Sequence, residues 1–140
     1  MIVLDASAML ELLLATDIGR QVGQRIRGTE SLHAPQLLVI ECIQVIRRTW
    51  MRGDIDAELG ALLIDDLLAL DIELYDHELI ATRTWELRDN LTAYDAAYVA
   101  LSELLGAPLV TTDAKLAGAP GNDATIELIR SQRPGSPSSP

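Results

Sequence analysis

The sequence predicts a single α/β domain built on a parallel sheet of about four or five strands, with helices on both faces. Two observations lead to this fold class. Short stretches rich in Ile, Val and Leu alternate along the chain with longer segments of helical periodicity, which is typical of βαβ units. Two of these stretches, 2–4 and 109–112, also lack the polar alternation of half-exposed strands, which indicates a sheet covered on both faces.

Composition is consistent with one compact domain. The chain has 140 residues, of which 49% are hydrophobic, enough to bury a core. We place the domain at residues 1–129 and expect residues 130–140, rich in Ser and Pro, to form a disordered tail. The single cysteine, Cys42, excludes an internal disulfide and a Cys-based zinc site, and we expect it to be a core residue. The apolar N-terminus carries Asp5 and Glu11 and lacks a basic region, so we expect it to be a poor signal peptide. Because no uncharged apolar run is long enough to span a membrane, we expect a cytoplasmic protein.

The net charge limits how the protein could bind nucleic acid. The formal charge of −10 argues against indiscriminate binding, which normally uses a net basic surface. Local clusters of arginine or a bound divalent cation remain compatible with this charge.

The N-terminal part of the chain predicts one strand and two helices. The strand covers Ile2 to Leu4, and Asp5 follows it directly. Ser7 is expected to cap a helix over about 8–15, and Asp17 is expected to cap a second helix that ends near residue 27.

A long helix is predicted from about residue 36 to residue 52, with Pro35 in its first turn. Glu41 is the only charged residue in the apolar segment 34–46. We therefore expect its carboxylate to be partly buried, where ionisation is costly unless a cation or strong donors compensate. The alternative is that Glu41 turns toward solvent on the face it shares with Arg48. The sequence pattern does not decide between these two interpretations.

Predicted strands and helices also alternate in the next part of the chain. A weak strand is predicted at 31–33 and a further short strand at 72–74, and Asp54 is expected to cap a helix over 55–69. Asp76 is expected to cap a further helix that ends near residue 89, with Leu79, Ile80 and Leu87 in the core. The two histidines, His33 and His77, have no partner at metal-ligand spacing and are interpreted as structural.

One αβ unit near the C-terminus places two acids at the ends of its elements. Thr92 is expected to cap a helix over 93–105 that ends at Gly106, with Asp95 in its first turn. A buried strand is predicted at 109–112, and Asp113 follows it. A last strand at 125–128 is expected to lie at the sheet edge. Taken singly, each acid is better explained as a cap or turn residue than as a catalytic one.

A catalytic or metal-binding role for these acids requires that the fold bring them close together. The carboxyl ends of parallel strands lie along one edge, where open α/β sheets bind ligands. Asp5 and Asp113 become neighbours if their strands are adjacent, and the Asp95 helix can begin at the same edge. Clustered carboxylates raise one another's pKa unless a cation lies among them, and oxygen-only ligands favour Mg²⁺ or Mn²⁺.

Three segments carry a resemblance to a known family: IVLDASAML, LLVIECIQVIRR and LTAYDAAYVALSELLGAPLVTTDAKLA. To about Leu128, the chain resembles PIN-domain ribonucleases of the VapC type, the toxins of bacterial type II toxin–antitoxin pairs. The resemblance implies that an acidic cluster is catalytic and holds Mg²⁺ or Mn²⁺, with two accessory polar residues beside it. The acids are Asp5, Glu41, Asp95 and Asp113, and the accessory residues are Ser7 and Thr111.

The resemblance also implies an activity and partners. It implies endonucleolytic cleavage of RNA by metal-activated water, a homodimer and a cognate VapB-like antitoxin. We expect a basic group of the antitoxin to enter the acidic site and inhibit it. The sequence does not choose the RNA.

Other classes of protein share some of these features. A phospho-receiver domain has similar size and a late lysine that Lys115 could match, but it needs paired acids after its first strand. A haloacid-dehalogenase-type phosphatase needs Asp-x-Asp, and this chain has Asp5-Ala6-Ser7. A PIN fold used only for binding would lack metal-dependent cleavage.

Overall fold

The protein was analysed as a computed structural model, which describes residues 1–28 and 31–131. Nearly all of the predicted tail at 130–140 lies outside the described residues, so both the tail and the domain boundary at 129 stay predictions. No helix in the described ranges is long and apolar enough to cross a membrane.

A five-stranded parallel sheet forms the centre of the molecule, with the order β3-β2-β1-β4-β5. The predicted fold class is therefore confirmed, and β5 is an edge strand as expected. Every residue of β1 and β4 is buried. Because successive side chains of a strand point to opposite faces, both faces of the central strands are covered. The strands are β1 Ile2–Leu4, β2 Leu32–Pro35, β3 Ile72–Tyr75, β4 Leu109–Thr111 and β5 Ile126–Leu128.

The described residues form seven α-helices, and a 3₁₀ turn at His77–Leu79 precedes the fifth. The most buried of them is α6, where every residue from Ala96 to Ser102 is buried. Three alanines in that run let the helix approach β1, β2 and β4, which it contacts. The helices are α1 Ala6–Leu13, α2 Asp17–Ile26, α3 Leu37–Met51, α4 Ala57–Ala69, α5 Ala81–Glu86, α6 Ala93–Leu105 and α7 Ala114–Ala117.

Three predicted helix caps were wrong by one or two residues. Asp5 caps α1 in place of Ser7, Thr16 caps α2 in place of Asp17, and Asp56 caps α4 in place of Asp54. In each case two residues that are both favoured at the N-cap position lie close together in the sequence, so this preference alone does not identify the true cap. The extended backbone at the true cap decides the choice.

Two further predictions were wrong between β2 and α5. Pro35 is the last residue of β2, not a helical residue, and it pairs with Tyr75. The helix predicted from Asp76 is broken at Ile80, whose backbone is not helical. This break buries Ile80 and leaves Leu79 61% exposed, so Leu79 is not a core residue. Ile80, Leu87 and Cys42 are buried as predicted.

Both histidines have structural contacts. His33 is buried, with its ring nitrogens 2.6 Å from the Ser31 hydroxyl and 2.7 Å from the Tyr75 hydroxyl. His77 Nε2 accepts a hydrogen bond of 3.0 Å from the Leu37 N–H and so satisfies a free donor at the start of α3.

Candidate active site

The strand order creates a switch point between β1 and β4. From β1 the chain continues to β2 and β3 on one side, and it later returns to β4 and β5 on the other. In open α/β sheets, ligands bind beyond the carboxyl ends of the strands at this point. Asp5 follows β1 directly and Asp113 lies two residues after β4, so both acids are at the switch point.

A cavity of about 590 Å³ opens at this edge of the sheet. All four predicted acids line it, and each is supplied by a different part of the fold: the β1–α1 junction, α3, the first turn of α6 and the β4–α7 junction. We call this cavity the acidic pocket, and its other walls come from α1, α3 and α6. The residues that line it are Asp5, Ala6, Ser7, Leu10, Ile40, Glu41, Gln44, Val45, Arg48, Tyr94, Asp95, Tyr98 and Asp113.

Asp5 is the most buried of the four acids, at 5% exposure. Its Oδ1 accepts hydrogen bonds from the Ser7 hydroxyl at 2.7 Å and from the Ala8 N–H at 2.9 Å. The buried Thr111 hydroxyl donates to its Oδ2. The two predicted accessory residues, Ser7 and Thr111, therefore both contact Asp5.

Backbone groups orient those two hydroxyls. The Thr112 N–H donates to Ser7 Oγ and the Asp113 N–H donates to Thr111 Oγ1, each over 3.0 Å. Because each oxygen already accepts a backbone bond, its own proton is free to point at the Asp5 carboxylate. The β4–α7 junction thus fixes the position of Asp5 as well as that of Asp113.

Glu41 is half-buried in α3 and faces the acidic pocket. The Tyr98 hydroxyl donates to Glu41 Oε1 over 2.6 Å. Glu41 therefore follows the partly buried interpretation, with a strong donor as its partner. Tyr98 is a site residue that the sequence reasoning missed. The signal was its spacing, because residues three apart on a helix share a face and Tyr98 is three residues after Asp95.

Asp95 and Asp113 are half-buried. The Thr92 hydroxyl caps α6 by accepting from the Asp95 N–H at 3.2 Å, which leaves the Asp95 carboxylate at the pocket wall. Asp113 caps α7 through a bond of 2.9 Å from the Lys115 N–H, so it has the predicted cap role and also lines the pocket.

Burial and mutual repulsion raise the pKa of three of the acids. Burial is the largest cause of the raised pKa of Asp5, and the Asp95 carboxylate adds to it. The pKa of Glu41 is raised by burial and then by Asp95 and Asp5, and that of Asp95 by burial and then by Asp113. Adjacent to them, burial and then Glu41 and Asp5 raise the pKa of the Cys42 thiol to about 12. That thiol stays protonated at neutral pH and is not a nucleophile.

The donor set suits a hard divalent cation. Within the described residues, no three acidic, His or Cys side chains are already close enough together to enclose a metal ion. Mg²⁺ does not need such a cage, because it keeps several waters and binds through one or two carboxylates. Carboxylates that raise one another's pKa around an open pocket fit that chemistry.

Comparison with known proteins identifies the family. A PIN-domain family model matches residues 2–122. The chain belongs to the PIN-domain family. All four acids, Ser7 and Thr111 fall inside the matched range.

Within the PIN-domain family, the chain is similar to VapC proteins. It is 42% identical to ribonuclease VapC12 of Mycobacterium tuberculosis over 129 residues, which cover 92% of this chain and 99% of the relative. Two crystal structures share the PIN fold. The M. tuberculosis sarcin–ricin loop cleaving toxin VapC20 has a TM-score of 0.64 at 14% identity, covering 86% of this chain and 97% of that chain. VapBC2 of Rickettsia felis, bound to a promoter DNA fragment, has a TM-score of 0.69 at 15% identity, covering 91% and 98%.

Proposed function

We propose that this PIN-domain protein is a VapC-type toxin, an endoribonuclease that hydrolyses RNA phosphodiester bonds with Mg²⁺ or Mn²⁺. One observation carries the proposal: four carboxylates from separate parts of the fold line one pocket at the switch point of the sheet. The 42% identity to a VapC ribonuclease supports it. A phospho-receiver is disfavoured because flavodoxin-like domains have the strand order 2-1-3-4-5, which differs from the order here.

Each acid has a proposed role. Asp5, Glu41, Asp95 and Asp113 are assigned as catalytic acids that hold the cation. The cation, when bound, supplies Lewis acidity toward a phosphate oxygen and activates water for attack. Hydrogen bonds from other residues of the chain orient the acids before the cation binds.

The hydrogen-bond partners of the acids explain how the site is prepared. Ser7, Thr111 and the Ala8 N–H hold Asp5 in one orientation. Tyr98 holds one oxygen of Glu41 and leaves the other free. Burial, and then the Glu41 bond, raises the pKa of Tyr98 above its ordinary range, so the phenol keeps its proton and remains a donor to Glu41. Asp5 and Glu41 are therefore held in place before a cation binds.

The test is cleavage of total RNA by the purified protein with Mg²⁺, Mn²⁺ or EDTA, with the new ends mapped. We expect defined ends with either metal and none in EDTA. Asp95→Asn should abolish cleavage while the fold survives. The matched control is Asp66→Asn, which removes an exposed acid of α4 outside the pocket and should cleave normally.

Two outcomes would count against the assignment. Full cleavage by folded Asp95→Asn would show that Asp95 is not a catalytic residue. Tight RNA binding without cleavage under every metal condition would favour the non-catalytic PIN module.

We also propose a VapB-like antitoxin, an RNA substrate and a homodimer as partners. The acidic pocket attracts a basic group, and an arginine can bind a carboxylate through two parallel hydrogen bonds. The exposed Ile40 of α3 offers an apolar contact beside the acids for the rest of the antitoxin segment, and the largely buried Leu10 of α1 lines the same pocket.

The partner proposal is tested by co-purifying the product of the adjacent small open reading frame. Replacing the arginines of its C-terminal segment by alanine should leave a complex that cleaves RNA. A complex that forms and stays fully inhibited would contradict entry of a basic group into the acidic pocket.

A further inference from the structure

A second cavity, of about 380 Å³, lies between α5 and the start of α6, beside the acidic pocket. We call it the aromatic pocket and define it by His77, Ile80, Trp85, Arg88 and Tyr94. Tyr94 lines both cavities, so they share a wall. A ligand that extends from the acidic pocket past Tyr94 would therefore reach the aromatic pocket.

The aromatic pocket exposes rings that the core does not use. Trp85 is 67% exposed and Tyr94 is 61% exposed. Large aromatic side chains usually bury most of their surface, and exposed clusters of them mark binding sites. Arg88 lies over one face of the Trp85 ring, but a ring exposed to this extent keeps a face on which a ligand can stack, and so does Tyr94.

Each of the two pockets has an arginine that can bind a phosphate group. The guanidinium of Arg88 lies 4.5 Å from the centroid of the Trp85 ring. Arg88 at the aromatic pocket and Arg48 at the acidic pocket form no ion pair with an acid of the described residues. On a protein with net charge −10, these arginines supply positive charge where a phosphate backbone would pass.

We propose that the aromatic pocket is a nucleobase subsite, in which an unpaired base next to the cut stacks on Trp85 and Tyr94. This inference rests on the proposed ribonuclease function and adds a subsite for an unpaired base beside the acidic pocket. Aromatic rings with arginine are the usual means of holding unpaired bases without reading their sequence. A base in a duplex is already stacked and cannot enter.

The two tryptophans provide a direct binding test. Trp50→Phe leaves Trp85 as the only tryptophan, and Trp85→Phe leaves Trp50, which is 50% exposed on α3 and outside both pockets. Each variant is titrated with a short single-stranded RNA in EDTA, which prevents cleavage. We expect the RNA to quench Trp85 strongly and Trp50 weakly, and a fully paired RNA duplex to quench neither.

Kinetics supply the second test. Trp85→Ala should raise the KM for single-stranded RNA about tenfold, the usual effect of losing one base-stacking contact, with little change in kcat. Trp85→Phe should restore most of the affinity, since it keeps an aromatic face. Trp50→Ala is the matched control and should leave KM unchanged.

Several results would overturn the subsite. If RNA is cleaved but leaves Trp85 fluorescence unchanged, the subsite is wrong and the proposed function stands. If Trp85→Ala also converts a dimer into a monomer in sedimentation, the surface binds a second copy of the chain. Quenching of Trp85 without cleavage in any metal would support the subsite and contradict the proposed function.

Discussion

Asp5 combines a structural role with its place in the acidic pocket. Its carboxylate caps α1 through the Ala8 N–H and also accepts from two side-chain hydroxyls. These bonds favour the charged form, while burial, the largest influence, raises the pKa of Asp5. Asp95 has fewer compensating donors, so in its case burial and repulsion from Asp113 are opposed only by Thr92. The two acids should therefore respond differently to loss of charge.

We predict that Asp95→Asn stabilises the metal-free protein, whereas Asp5→Asn destabilises it by about 1–3 kcal/mol. The first change removes a repelled charge. The second turns an amide N–H₂ toward hydroxyls that need an acceptor. Urea unfolding in EDTA at pH 7 measures both effects. A similar loss of stability in the two variants would mean that repulsion among the acids is unimportant.

At the scale of elements, the contact between α1 and α2 depends on Gly19. A Cβ at this position would lie 1.9 Å from the Glu11 carbonyl oxygen of α1, and backbone cannot move aside cheaply. Gly23, one turn later in α2, has room, since its Cβ would lie 3.6 Å from Leu12 Cδ1.

We predict opposite effects for alanine at the two glycines of α2. Gly19→Ala should destabilise the protein by about 3 kcal/mol or more, because overpacking forces the helices apart. Gly23→Ala should stabilise it by about 0.5–1 kcal/mol, because alanine is the better helix former. Thermal and urea unfolding measure both. If Gly19→Ala is tolerated, the helices are not packed this closely.

A second inter-element contact connects α5, α6 and the segment before β5. Arg83 of α5 binds both oxygens of Glu103 in α6, at 2.7 and 3.1 Å, and the Asp123 N–H adds a bond of 2.8 Å. The Arg83 hydrogen bond is the main cause of the lowered pKa of Glu103. The native state therefore binds fewer protons at this site than the unfolded chain does.

This difference in bound protons predicts that the stability of the protein depends on pH. The contribution of Glu103 to stability should be complete above the ordinary glutamate pKa of 4.5 and should be lost as pH falls through the lower native pKa. Glu103→Gln should thus be less stable than the parent at pH 7 and equal to it in strong acid. Glu78→Gln, at an exposed acid without a partner among the described residues, serves as the control. A stability difference independent of pH would show that the charge of Glu103 is not involved.

At the scale of the whole molecule, the acidic pocket couples cation binding to folding. Carboxylates brought together by the fold are dispersed in the unfolded chain, so a cation that binds them favours the native state. The pocket joins parts of the chain from its first strand to its last helix, and a bound cation would therefore stabilise the domain as a unit.

We predict that Mn²⁺ raises the melting temperature of the protein and that Asp95→Asn removes most of this increase. Binding at a concentration of 100 Kd contributes about 2.7 kcal/mol. The measurement is a thermal scan across a Mn²⁺ titration, with Asp66→Asn as the control that keeps the full response. A melting temperature that does not change with Mn²⁺ would mean that the acids do not form a cation site.

The sequence by itself determined the features that depend on neighbours in the chain. The unit from Thr92 to Thr111 has the predicted cap and the predicted helix, and its helix ends at Gly106 with a positive φ of 61°. A capping hydroxyl, a terminal glycine and a β-branched strand act over a few residues, so their effects are readable locally. The four acids were visible for the same reason, as isolated charges at the ends of apolar segments or within one.

Only the tertiary structure decided what those acids contact. The Thr111 bond to Asp5 joins residues 106 apart, and the Tyr98 bond to Glu41 joins residues 57 apart. Such contacts depend on strand order and helix packing, which no local preference encodes. The same holds for the aromatic pocket, because the helix predicted from Asp76 is broken at Ile80 and α5, which follows the break, packs beside the start of α6. Residue type and spacing determine secondary structure over a few positions of the chain. The arrangement of side chains around a pocket depends instead on how distant parts of the chain pack together.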